Sequence, residues 1–115
     1  MSCFLVLLSD KKANGLTPEL LLAHVHHLQQ LSAAGQLRFC GPYADNQGAM
    51  LLLQCTDRQQ AEQLLLADPF VRIGYYKQYQ LQEVLEANAA NHWLLQEGQT
   101  INNLTANKAA TNAAE

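Results

Sequence analysis

His24 and Asp68 are the two residues of this chain whose types and positions could carry acid–base chemistry. Histidine titrates near neutral pH and serves most often as general acid or base. A carboxylate beside one ring nitrogen would fix the imidazole tautomer and favour its charged form. On a helix advancing about 100° per residue, Leu20, Leu21, Val25, Leu28 and Leu31 fall in one apolar stripe, and His24 falls near its middle. An imidazole on a buried face needs a partner for its nitrogens. Two accounts are open: a core histidine satisfied by a backbone carbonyl, or a general acid or base.

His26 projects to the opposite side and His27 to the edge of the stripe, and both are expected at the solvated surface. Three histidines within four residues invite a metal reading, but their directions diverge and adjacent residues do not converge on one ion. No metal and no other cofactor is expected. Asp68 shares a helix face with Ala61, Leu64 and Leu65 at three- and four-residue spacing. It precedes Pro69, and a residue before proline is pushed out of the α region, so the helix is expected to end there. At a helix C-terminus the macrodipole disfavours an anion by roughly 0.3–1 kcal/mol, and a nearby imidazolium would offset that cost. The competing account is a simple Asp-Pro turn whose carboxylate accepts local backbone N–H groups. No nucleophilic serine or activated cysteine accompanies the pair, which favours proton transfer over covalent catalysis.

The elements that must position the pair follow from the hydrophobic pattern. Cys3–Leu8 is a continuous apolar run and suits a central strand. Thr17-Pro18-Glu19 reads as N-cap, first-turn proline and first-turn acid of a helix that should reach Ala34 and stop at Gly35. Gln36–Cys40 is a second strand ended by Gly41-Pro42, and Ala49–Cys55 is a third. Thr56 or Asp57 caps a second helix, with Gln59 or Gln60 as capping partner. Ile73–Gln82 reads as a fourth strand. The order β-α-β-β-α-β is the ferredoxin-like α+β plan, with an antiparallel sheet. Residues 1–82 form this domain. Residues 83–115 form an extension, helical in composition over Glu83–Gln96 and Asn/Ala/Thr-rich from Gln99, which is expected to lie against a partner subunit or the barrel rim.

At 115 residues the chain suits one domain. Its net charge of −3, with seven Lys plus Arg scattered along it, offers no basic stripe for a phosphate backbone, so nucleic acid is not an expected partner. No apolar run approaches a membrane span of about 20 residues. Cys3, Cys40 and Cys55 are odd in number and form no Cys-x-x-Cys pair, which fits reduced thiols in the cytoplasm.

At His24, Gly35-x-Leu37, Gly41-Pro42, the Gly48-led third strand and Asp68-Pro69-Phe70-Val71 followed by Gly74, the chain resembles the YCII-related (YciI-like) family. The likeness covers roughly Cys3–Gln82. It implies a dimeric α+β barrel and a catalytic His/Asp pair at His24 and Asp68. It also implies kinship with dehydrochlorinases that act on intermediates of chlorinated aromatic breakdown. Relatives often carry an arginine shortly before the histidine. This chain has Leu20-Leu21-Leu22 instead, which argues against anion binding at that spot.

The expected function is therefore a cofactor-free enzyme performing proton abstraction, elimination or isomerisation on a small ring or carbonyl compound. His24 is its base, Asp68 its orienter, and Tyr43, Phe70 and Tyr75 its pocket walls. The alternative is a non-catalytic module that binds a small ligand or supports a partner protein. A third reading, an oxygenase using Asn91, His92 and Trp93, rests on residue types alone. A homodimer is expected, because a sheet with helices on one face leaves residues such as Leu5, Leu52 and Tyr76 uncovered on the other.

Overall fold

The computed structural model describes residues 1–96. Residues 1–85 form one compact unit. Its elements run β1 (Ser2–Lys11), α1 (Pro18–Ala33), β2 (Leu37–Pro42), β3 (Ala49–Cys55), α2 (Arg58–Leu66), α3 (Pro69–Arg72) and β4 (Tyr76–Val84). The four strands make one antiparallel sheet in the order β2-β3-β1-β4, the ferredoxin-like arrangement.

β1 alternates cleanly. Phe4, Val6 and Leu8 are buried, and β3 matches them with Leu51, Leu53 and Cys55. Leu20 and Leu31 of α1, Ala61 and Leu65 of α2 and Phe70 of α3 join the same core. Each large apolar side chain buried there contributes about 1.5–3 kcal/mol relative to exposure. Cys3, Leu5, Leu7, Met50 and Leu52, on the alternate positions, remain half-exposed. Tyr76, expected among them, is instead buried at the start of β4, where its ring meets Phe70 and Tyr75.

Helix ends follow their capping chemistry. The Thr17 hydroxyl accepts from Leu20 N–H, and Pro18 occupies the first helical position. α1 stops at Gly35, whose φ of 73° places it in the left-handed region. There Gln36 N–H donates to Leu31 O and Gly35 N–H to Ser32 O, closing the helix as a Schellman motif. Asp57, not Thr56, caps α2 by accepting from Gln60 N–H.

Several strand boundaries depart from the pattern-based expectation. β1 runs on to Lys11, paired with Tyr76. β2 includes Gly41 and Pro42, paired with Met50 and Ala49. β4 begins at Tyr76 rather than Ile73, because α3 and the left-handed Gly74 (φ 81°) occupy the intervening residues. The strand then holds Glu83 and Val84, whose pairing with Phe4 and Cys3 overrides their helical composition. Over the rest of Glu83–Gln96 the expected α-helix is replaced by a 3-10 stretch at Ala89–Leu94, begun by reciprocal capping between Asn88 and Asn91. The expectations for Gln99–Glu115 lie outside the described residues. No described helix is long and apolar enough to cross a membrane.

Candidate functional site

Asp68 is buried, and its local structure differs from the expected helix end. α2 stops two residues earlier, at Leu66, with Ala67 as its C-cap. Asp68 takes an extended conformation (φ −67°, ψ 125°), as a residue before proline must, and becomes the N-cap of α3. Its Oδ1 accepts from Phe70 N–H at 2.9 Å. The carboxylate therefore sits at the start of a helix, where the backbone dipoles favour it. The dipole penalty expected at a C-terminus does not arise.

The same oxygen faces His24, with Nδ1 2.8 Å from Asp68 Oδ1. The two accounts weighed for Asp68, local cap and imidazole partner, are thus realised together by one atom. An ionised carboxylate only accepts, so the shared proton resides on Nδ1 and the lone pair of neutral His24 lies on Nε2. The imidazole also stacks on Phe70, with centroids 3.7 Å apart and planes within 6°. The hydrogen bond to Asp68 sets the rotation of the ring in its plane, and the stack sets the plane. Asp68 Oδ2 is buried with no hydrogen-bond partner among the described residues.

The other two helix histidines also have settled positions. His26 is exposed. His27, expected in solvent, is half-buried, and its Nε2–H donates to Leu64 O at 3.1 Å. α2 ends too soon for that carbonyl to find a helical partner, and His27 supplies one. Arg72 Nη1 donates to Ala67 O in the same way, at 3.4 Å.

His24 lines a cavity of about 380 Å³. Phe70, Tyr75 and Tyr76 contribute aromatic walls, with Leu16 and Leu21 exposed at its margin. Phe70 and Tyr75 pack at 4.8 Å, tilted by 50°. Tyr43 is not among the lining residues. It is exposed, with its ring against Gly48. From the same loop, Asn46 reaches the cavity instead, its carbonyl held by Lys11 Nζ at 2.6 Å. The pattern reading missed Asn46 and Cys40; only pairing of β2 with β3 brings them to the rim. Burial pushes the Cys40 thiol and the Tyr76 phenol above their ordinary ranges, and the charge of Asp68 adds to both. Asn91, His92 and Trp93 are exposed within the 3-10 stretch.

The profile of the YCII-related domain family matches residues 3–97. The chain belongs to this family. Among solved structures, this YCII-related protein is similar to 5-chloro-2-hydroxyhydroquinone dehydrochlorinase from Burkholderia phenoliruptrix, determined in complex with 2,5-dihydroxybenzoquinone. The TM-score is 0.63 at 17% identity, covering 76% of this chain and 97% of that one. That similarity establishes the fold. No curated protein matches the chain significantly.

Proposed function

We propose that this protein is a cofactor-free enzyme in which His24 takes a proton from a small ring or carbonyl compound. Asp68 holds the imidazole and stabilises its charge. The observation that carries the reading is the 2.8 Å contact between Nδ1 and Oδ1 on a histidine that lines a 380 Å³ cavity. Nε2 is the nitrogen able to accept the proton. In an elimination, the carbon–hydrogen electron pair forms the new double bond while the leaving group departs with its own bonding pair. In an isomerisation, the proton returns from Nε2 to another carbon. The structural neighbour is a dehydrochlorinase, which supports elimination as the first reaction to try.

The experiment is deuterium uptake from heavy water by hydroxylated quinones and cyclic ketones, followed by NMR. Wild type should exchange an acidic C–H faster than buffer. His24→Asn should lower the rate by roughly 10²–10⁴-fold, the usual share of a general base, with the fold intact. If that variant keeps its rate and loses about 1–3 kcal/mol of stability, His24 is a structural histidine and the proposal fails. Ligand binding without exchange in wild type would favour the non-catalytic module.

We further propose that the working unit is a homodimer joined through the uncovered sheet face. Support comes from Leu5, Leu7, Met50 and Leu52, half-exposed on adjacent strands, and from Phe39, 56% exposed beside them.

A further inference from the structure

We propose that the cavity beside His24 selects uncharged, ring-sized compounds and excludes those bearing a carboxylate; this rests on the site proposed above and names its substrate class. The lining is mostly aliphatic and aromatic, and none of the described residues in it is Lys or Arg. Its polar side chains are His24, Asn46, Cys40, Tyr75 and Tyr76, none with a fixed positive charge. The ammonium of Lys11 reaches the rim, where it donates to Asn46 O.

The His24–Asp68 pair does not supply the missing charge. With the imidazole neutral the pair carries one negative charge, and with His24 protonated it carries none. It is never net positive. The influence of Asp68 is felt at the lining, since it adds to the upward displacement of the Cys40 and Tyr76 groups that burial begins. A carboxylate entering this space would give up water for an apolar wall and a like charge, the least favourable exchange for an anion. An uncharged ring loses little water and gains the faces of Phe70 and Tyr75. Volume sets the size: about 150 Å³ suffices for benzene, so 380 Å³ admits a ring with several substituents. One ring hydroxyl or carbonyl can then meet Nε2 of His24 or the Asn46 amide.

The test uses matched probes at neutral pH on the full chain: benzamide against benzoate, and salicylamide against salicylate. Ring-proton signals of Phe70 and Tyr75 report binding without any turnover. Each amide should give saturable shifts and a Kd at least about tenfold below that of its acid. Equal or tighter binding of the acids overturns the proposal. So does failure of both amides to saturate at millimolar concentration. His24→Asn separates this result from the catalytic reading. The preference comes from the lining and should persist in that variant, whereas deuterium exchange should not. A variant that reverses the preference would place selectivity in the imidazole and overturn the proposal as well.

Discussion

One carboxylate oxygen at Asp68 serves two donors, and the two uses can be separated by substitution. Asp68→Asn keeps an oxygen able to accept from Phe70 N–H, so α3 should remain capped and the loss of stability should stay small. The neutral amide no longer stabilises an imidazolium, so exchange activity should fall by about 10²-fold or more. Asp68→Ala removes cap and partner together and should cost about 0.5–2 kcal/mol for the cap alone, read as a lower denaturation midpoint. Equal stabilities for the two variants would contradict this division. The raised groups make a separate prediction about pH. Burial lifts the thiols of Cys40 and Cys55 and the phenol of Tyr76, with Asp57 adding at Cys55. The folded state then keeps protons that the unfolded state releases above the ordinary thiol value of 9.0. Stability should be fully present below that pH and decline as pH rises through it, since the native form binds more protons there. Denaturant titrations at pH 7, 9 and 10 check the sign, and a midpoint that rises would refute it.

Among the elements, Gly48 at the head of β3 is set by space. A Cβ there would run into the carbonyl oxygen of Leu8 and lie 2.8 Å from Tyr43 Cε2. The tyrosine ring can move, but the carbonyl belongs to the β1–β3 ladder. Gly48→Ala should therefore destabilise by about 1–3 kcal/mol, as overpacking does. An unchanged melting temperature would show that the hairpin shifts freely. Much of this architecture is legible before any coordinates. β3 spans Ala49–Cys55 as its apolar run suggests, Thr17 caps α1, and the placement of His24 and Asp68 toward the core was visible in their spacing. The misplaced boundaries share a cause. Ile73, Tyr75 and Tyr76 have β-forming side chains, yet Asp68 captures Phe70 N–H and starts α3 just before them. Helix projection places His27 in solvent because its partner, Leu64 O, belongs to another helix. Such partners are long-range, and local periodicity is silent about them.

At the scale of the sheet, one face is buried under the helices and the other carries half-exposed apolar side chains among the described residues. Leu5 pairs with Leu52 and Leu7 with Met50, so the apolar positions of the two central strands lie side by side. Leu52 also pairs with Phe39 of β2. Light scattering at micromolar concentration should give twice the chain mass of 12.8 kDa. Leu5→Asp, which sets a charge in the middle of this face, should shift the mass toward the monomer while leaving far-ultraviolet circular dichroism close to wild type. A monomeric wild type would defeat the dimer.

Asp68 joins the cap of α3 to the tether of α1, and this double duty bears on how the site can drift over evolutionary time. A descendant in which the pair served no chemistry would still be selected to keep a capping side chain there, aspartate or asparagine, because folding alone rewards the cap. His24 caps no helix, and its contacts are the Asp68 carboxylate and the Phe70 ring. On the role proposed for His24 as base, the histidine rather than the cap would mark, across divergent descendants, the lineages that perform the proton transfer.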